Sequence, residues 1–240
     1  LPWLRCICQQ YLRRYRIRKD LARRLRRHII TQSQGANCRF LERERKLLQS
    51  LPVGLQTDLA EQTRGALLCK CEYFELLSSV SHLEFRQVCA LAIQSGVTLL
   101  GESCFNKGDD CTVMRFINSG HFRYITSEGL ETGVYPMMHL SEAVLWTKWV
   151  YRGTLVASKE SVFLEVHEDI FTKVILSHKG AYLQSQMYAK RFLLNLNRLP
   201  VLSDLLSTDL MCRTDQLYPV RERSHFVFIS HFKKEAGTEA

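Results

Sequence analysis

Apolar side chains recur at three- and four-residue intervals through the first part of the chain, and this spacing predicts helices. Within residues 11–30, Leu21, Leu25 and Ile29 fall on one helical face behind Asp20, a residue type that often caps a helix N-terminus. The same periodicity predicts helices at residues 39–50, 54–64 and 81–95, with an apolar hinge at 67–74. We therefore expect the first 95 residues to be mostly helical.

After Gly96 the pattern changes to short extended segments separated by turns. Strands are predicted at residues 97–100, 103–105, 113–117, 121–126, 133–138, 152–158 and 161–166. Strands spaced by turn-rich clusters such as residues 106–110 are typical of a sandwich or small barrel. Helical spacing returns at 168–178 and 180–198, followed by a short helix at 202–210 and a strand at 225–232.

The 240 residues leave room for one large domain or two small ones, and the net charge of +9 is unevenly distributed. Residues 1–46 hold 14 Lys and Arg against three acids, whereas the remainder is slightly acidic. A segment this basic could face nucleic acid, an anionic membrane surface or an acidic protein, or could be a solvated helix face. No apolar run is long enough to span a bilayer, and because the sequence begins with Leu1 we expect a fragment of a longer chain.

No catalytic or metal-binding motif is evident. The nine cysteines form no CxxC pair, the eight histidines are scattered, and we expect no metal site. Nucleotide-binding glycine loops and a nucleophile elbow are also missing from the sequence. We therefore expect a protein that is not an enzyme.

Several short motifs in the second half resemble those of cyclic-nucleotide-binding domains. They are Asn-Lys-Gly-Asp at 106–109, Met-Arg-Phe-Ile-Asn-Ser-Gly at 114–120, Leu-Ser-Glu-Ala-Val-Leu at 140–145, Arg-Gly-Thr-Leu at 152–155 and the run 163–175. The third is similar to the start of that family's phosphate-binding cassette. Upstream, residues 17–25 and 47–56 resemble the C-linker of voltage-gated and cyclic-nucleotide-gated cation channels. The resemblance covers roughly residues 11–199, and it depends on the order and spacing of the motifs.

This resemblance implies an α+β fold in three parts. They are a helical C-linker-like segment at 1–71, a β-roll of the double-stranded jelly-roll type with flanking C-terminal helices at 72–199, and a tail at 200–240. It also implies the cytoplasmic regulatory region of a tetrameric channel of the hyperpolarisation-activated, cyclic-nucleotide-gated or ether-à-go-go type, selective for potassium. The membrane-spanning part would precede Leu1, the C-linker helices would form the tetramer, and basic residues within 5–27 would face anionic lipid.

The resemblance further implies a binding site for cAMP or cGMP. Its residues would be Leu140, Ser141, Glu142, Ala143, Arg152, Gly153 and Thr154. In the family the cassette glutamate, here Glu142, bonds the ribose, backbone amides hold the phosphate, and an arginine pairs with its charge. Here Ser141 replaces the family's glycine, and Gly153 replaces the arginine if Thr154 aligns with the family's threonine. Arg152 could substitute only through a one-residue slip, which would turn its side chain to the other face of the strand.

Bulky side chains are a further difference from the family's binding site, because Trp146, Trp149 and Tyr151 would fill or cover the pocket. The sequence therefore favours a degenerate roll that does not bind cyclic nucleotide tightly. The alternatives are a genuine cAMP or cGMP sensor, in a channel or in a soluble kinase-regulatory protein, and a transcription regulator carrying the same roll. Residues 200–240 offer no basic recognition helix, so we expect no nucleic-acid partner. Glu142 could also simply cap the short helix that it opens.

Overall fold

Backbone contacts divide the chain into two compact units, Leu1–Leu51 and Pro52–Ala240. The computed structural model describes residues 36–205 and, before them, residues 7, 10–12, 14, 15, 21, 22 and 25. In the first unit, helix α1 (Ala36–Gln49) confirms the helix predicted at 39–50. Most of the predicted helix at 11–30 and the predicted strand at 225–232 lie outside the described residues. The domain boundary at residue 71 stays a prediction.

The second unit begins with helices, as the periodicity predicts. They are α2 (Val53–Leu68), α3 (Glu72–Val80) and α4 (His82–Gln87), followed by a π-helical turn at Val88–Ala92. The apolar hinge expected at 67–74 is limited to residues 69–71, which separate α2 from α3. Tyr73 and Phe74 lie within α3 with their rings fully buried. The helix predicted at 81–95 is also too long, since the π-helical turn leads directly into a strand at Ile93.

Residues 93–167 form the predicted roll from short antiparallel strands. These are β1 (Ile93–Thr98), β2 (Ser103–Phe105), β3 (Asp110–Cys111), β4 (Val113–Ser119), β5 (Phe122–Ile125), β6 (Glu131–Val134), β7 (His139–Leu140), β8 (Trp149–Val150), β9 (Thr154–Ala157) and β10 (Ser161–His167). They pair into two four-stranded sheets, β1-β10-β4-β7 and β2-β9-β5-β6, and a ribbon β3-β8. The strand expected at 133–138 forms only at 133–134, as the end of β6, and the chain turns at 135–138 before β7. The fold class, α+β with a β-roll and flanking helices, is confirmed.

Aromatic side chains join the sheets to one another and to the helices. Phe122 of one sheet meets Phe163 of the other with ring centroids 6.3 Å apart. Helices α5 (Glu168–Leu176) and α6 (Lys179–Arg198) follow the roll where the sequence predicts them. Tyr73 of α3 packs against Trp146, Phe171 and Tyr188 at centroid distances of 4.7, 5.7 and 5.1 Å. The helices and the roll of this unit therefore share one hydrophobic core.

After α6 the chain turns at Pro200, and residues 199–205 lie against the roll. Leu202 and Leu205 pack onto the core, while Asp204 is buried. The helix expected at 202–210 does not form over 202–205, and its remainder lies outside the described residues. Within the described part of the chain, no helix combines the length and apolar character needed to cross a bilayer.

Candidate anion-binding site

The predicted cassette bends sharply at Ser141. Strand β7 ends at Leu140, Ser141 adopts the left-handed conformation (φ 62°, ψ 34°), and a 3-10 helix follows at Glu142–Leu145. Glycine adopts this conformation at no steric cost, so a serine here is strained. Two hydrogen bonds hold Ser141: its backbone N–H donates to the carbonyl of Asp204 at 2.7 Å, and its Oγ donates to Asp204 Oδ1 at 3.2 Å.

The chain leading into β9 supplies three further donors. The indole Nε1 of Trp149 donates to Asp204 Oδ1 at 2.7 Å. The backbone N–H groups of Arg152 and Gly153 donate to Asp204 Oδ2 at 2.8 and 3.1 Å. A fourth donor comes from β5, where the Tyr124 hydroxyl donates to Oδ2 at 2.8 Å. We call the five groups that donate to the carboxylate, from Tyr124, Ser141, Trp149, Arg152 and Gly153, the Asp204 pocket.

Asp204 is 1% exposed, so these bonds replace nearly all of the hydration of its carboxylate. An ionised carboxylate is costly to bury unless its oxygens accept hydrogen bonds. Here all five donors are neutral hydroxyl, indole and amide groups, and they converge on one negative charge. Such an array is suited to bind a carboxylate or a phosphate. In this structure it is filled by a side chain of the protein itself.

Glycine is required at position 153 because two chain segments approach closely there. A Cβ on Gly153 would lie 2.5 Å from the ring of Tyr124 and 2.6 Å from the carbonyl oxygen of Ile125. The residue therefore leaves no space for a larger side chain, and it brings its own N–H within reach of the carboxylate. A side chain such as the family's arginine would not fit at this position.

The phenol of Tyr124 remains a donor over a wide pH range. Burial, and secondarily the negative charge of Asp204, raises the pKa of Tyr124 to about 12. Because the neutral phenol carries the proton that it donates, this shift favours the hydrogen-bonded state.

Only part of the predicted set meets at this pocket. Leu140 and Ala143 are fully buried in the core. Thr154 accepts a hydrogen bond through Oγ1 from the N–H of Lys107 at 3.2 Å, and so holds the turn at 106–109. The Arg152 guanidinium lies over the ring of Trp149 at 4.9 Å, with its Nε buried and without a hydrogen-bond partner.

Glu142 faces a different environment, although it is the next residue after Ser141. Tyr188 of α6 donates to its Oε1 at 2.9 Å, and Trp146 Nε1 donates to the same oxygen at 3.4 Å. Its other oxygen, Oε2, lies 3.5 Å from His139 Nε2. The Glu142 carboxylate is thus engaged with α6, Trp146 and β7, away from the Asp204 pocket.

The three bulky residues expected to fill the pocket have separate positions. Trp149 lies in the pocket, and Trp146 belongs to the aromatic cluster around Tyr73. Tyr151 stacks on Phe105 at a centroid distance of 3.9 Å. A cavity of about 380 Å³ lies elsewhere, between the β3-β8 ribbon, the 3-10 helix and α5, and it does not include the residues predicted to bind nucleotide.

Sequence reasoning missed Asp204 and Tyr124. Asp204 lies 63 residues after Ser141 in a stretch for which the sequence predicts a short helix, and Tyr124 is one of nine tyrosines with no distinguishing motif. The only local signal was that residues 199–205 follow the last helix of the roll, where a returning segment could reach the pocket.

Comparison with known proteins gives likeness at the level of structure. No protein-family model matches the chain, and neither does any curated protein. Among solved structures, the chain is similar to a cyclic nucleotide-binding-like protein from Brucella abortus bv. 1 str. 9-941. The alignment covers 48% of this chain and 99% of that chain, with 19% sequence identity and a TM-score of 0.42.

Proposed function

We propose that this chain is a regulatory region with a cyclic-nucleotide-binding-like fold whose anion pocket is occupied by its own Asp204. The observation that carries the proposal is the convergence of five hydrogen-bond donors on this one buried carboxylate. A cyclic nucleotide would have to displace residues 199–205 before its phosphate could reach the same donors. It would also lack an ionic partner, since the Arg152 guanidinium lies on Trp149.

Within this proposal, the module acts by changing conformational populations and not by chemistry. Residues 199–205 are either docked in the pocket or released from it, and a ligand or partner acts through its different affinity for the two states. Glu142 is held by Tyr188 and Trp146, so it is not directed at a ribose in the docked state. We assign no catalytic role to any residue of the pocket.

The wider setting that we propose is the cytoplasmic side of a tetrameric voltage-gated cation channel, selective for potassium. The support is the resemblance of residues 17–25 and 47–56 to a C-linker and the strong positive charge of residues 1–46. The C-linker-like helices would assemble the tetramer, and the basic residues of 5–27 would lie against the anionic inner leaflet.

The second candidate is a true cAMP or cGMP sensor. The buried, unpartnered Nε of Arg152 favours it, since a short movement of that side chain would add a cation to a site already rich in donors.

Calorimetric titration with cAMP and cGMP separates the two candidates. We expect the 240-residue protein to show no binding in the micromolar range, and Asp204→Ala to gain at least about tenfold in affinity because the pocket is vacated. Asp204→Asn removes the charge but keeps the shape of the side chain, and it replaces Asp204→Ala in the titration if that variant does not fold. Asp169→Ala, which removes an exposed carboxylate on α5, is the control.

Micromolar binding by the unaltered protein that Asp204→Ala leaves unchanged would contradict self-occupancy and favour the sensor. Light scattering tests the assembly separately. A chain that stays monomeric at every concentration would remove the support for a C-linker tetramer, while leaving the pocket proposal intact.

A further inference from the structure

A second group of polar side chains is buried on the other side of the cassette. Cys71 precedes α3, His139 lies in β7, and Glu142 opens the 3-10 helix. The Cys71 Sγ, a ring nitrogen of His139 and a carboxylate oxygen of Glu142 all lie within 4.8 Å of one another. We call these three residues the Glu142 cluster. It brings together sulfur, nitrogen and oxygen donors from positions 71, 139 and 142, which no sequence motif connects.

The hydrogen bonding of the cluster is incomplete. The His139 side chain is only 9% exposed, and its Nε2 is buried without a hydrogen-bond partner, although Glu142 Oε2 lies 3.5 Å away. Unpaired nitrogen atoms in a protein interior are costly, and native structures rarely retain them without a reason. Glu142 Oε1 accepts hydrogen bonds from Tyr188 and Trp146, and Oε2 faces the histidine.

We infer that Cys71, His139 and Glu142 bind a zinc ion. Zinc takes thiolate, imidazole and carboxylate ligands, at about 2.3 Å for sulfur and about 2.0 Å for nitrogen and oxygen. Tetrahedral geometry at these bond lengths places neighbouring ligand atoms about 3.3–3.6 Å apart. The donor atoms of the cluster all lie within 4.8 Å of one another, so the distances between them would have to shorten by little more than 1 Å to bind zinc.

Charge balance also favours a divalent cation. In the forms that bind zinc, the imidazole, the carboxylate and the thiolate together carry two negative charges, which one zinc ion balances where burial makes a net charge costly. Zinc binding would displace the proton of the Cys71 thiol. With three protein ligands, a water molecule is the natural fourth ligand.

The surroundings already orient the carboxylate ligand. Tyr188 and Trp146 both donate to Oε1, which fixes the Glu142 side chain with Oε2 toward His139. Hydrogen bonds of this kind to ligating carboxylates are a regular part of metal sites. A zinc ion here would tie the start of α3 to β7 and to the 3-10 helix, and so join the helices to the cassette. The inference does not depend on which molecule fills the Asp204 pocket.

The test is zinc binding by the tag-free 240-residue protein after removal of metal with a chelator. We expect one zinc per chain from this site, with affinity reduced at least about 100-fold by His139→Gln and by Cys71→Ser, since weakening even the outer residues of a metal site costs about 10–100-fold. The matched controls are Cys69→Ser, two residues from the proposed ligand, and His121→Gln, on the exposed side of the roll; both should bind as the unaltered protein does.

Cobalt serves as a spectroscopic probe of the same site. Cobalt bound to the unaltered protein should show a thiolate-to-metal charge-transfer band, which Cys71→Ser abolishes and Cys69→Ser retains. The circular dichroism of the metal-free variants shows whether they fold. Should Cys71→Ser fail to fold, the zinc-induced rise in melting temperature of the unaltered protein and its loss in His139→Gln decide the matter.

Two outcomes would overturn the inference. One is a metal-free protein that takes up no zinc. The other is zinc binding that His139→Gln and Cys71→Ser leave unchanged, which would place the metal on other residues and leave His139 and Glu142 as an ion pair or a water site.

Discussion

Asp204 and Glu142 are two carboxylates buried to nearly the same degree, 1% and 2% exposed, and they contact adjoining parts of one cassette. Asp204 accepts hydrogen bonds from five groups on both of its oxygens. Glu142 accepts two on a single oxygen, and its other oxygen faces an unpartnered histidine nitrogen. Burial removes water from both carboxylates to a similar extent, so the two sites differ in how many hydrogen bonds replace that water. The Asp204 pocket is complete within the chain, whereas the Glu142 cluster has capacity for a ligand.

Removing the Asp204 carboxylate should have the largest effect. We expect Asp204→Ala to lower the free energy of unfolding by about 3–5 kcal/mol, because five buried donors lose their acceptor. Denaturant unfolding at neutral pH measures this change. Asp169→Ala, exposed on α5, should cost under about 1 kcal/mol. A loss for Asp204→Ala as small as that of the control would mean that residues 199–205 are not docked in solution.

A tyrosine hydroxyl donates to each of the two carboxylates, so the same substitution, tyrosine to phenylalanine, can be made at both sites. Tyr188→Phe should cost about 2 kcal/mol in the metal-free protein, because Glu142 then keeps only the 3.4 Å contact to Trp146. Tyr124→Phe should cost about 1 kcal/mol, since Asp204 retains four donors. Urea unfolding of both variants measures the difference. Equal or reversed losses would contradict our conclusion that Asp204 is the better compensated carboxylate.

Alkaline pH should destabilise the fold through the ionisation of Tyr124. Unfolded tyrosine ionises near its ordinary pKa of about 10, whereas the pKa of Tyr124 in the folded chain is raised to about 12. The native state thus keeps a proton that the unfolded state loses, so this stability is fully present below about pH 10 and is lost as the pH rises toward 12.

Urea unfolding at a series of pH values tests this expectation. When the pH is raised from about 9 to about 11, the free energy of unfolding of Tyr124→Phe should fall by about 1 kcal/mol less than that of the unaltered protein. Identical pH profiles would show that Tyr124 ionises as freely in the native state as in the unfolded chain.

The smallest effect concerns Arg152. Its guanidinium contacts the Trp149 ring and is not hydrogen-bonded to Asp204, so Arg152→Gln should cost only about 0.5–1 kcal/mol. Its backbone N–H remains and continues to donate. A much larger loss, accompanied by release of residues 199–205 in hydrogen exchange, would show that the arginine charge does hold the carboxylate.

Most of the helices and strands of the roll could be predicted from the sequence, because they depend on local signals. The turn at 106–110, for example, forms as predicted, with Asp109 accepting a hydrogen bond from the N–H of Asn106 at 3.1 Å. One error falls where helical and strand periodicity meet. The π-helical turn at Val88–Ala92 disrupts the 3.6-residue pattern just before Ile93, so the onset of β1 was placed four residues late.

The candidate sites could be predicted only in part. Arg152 and Gly153 were identified, but they contribute backbone N–H groups, which nearly every residue carries, so their side chains could not indicate the role. Asp204 and Cys71 reach the cassette only through the tertiary fold, 63 and 70 residues from Ser141. Pairings at such separations follow from topology and leave no local pattern.

The occupant of the anion pocket is covalently attached to it through α6 and a few further residues. Its effective concentration at the donors is therefore set by a short tether, on the order of millimolar or more, and does not vary with metabolism. A diffusing anion competes against this constant value, and it reaches the donors only while residues 199–205 are released. The pocket is therefore governed by what holds or releases residues 199–205 more than by the concentration of a free anion.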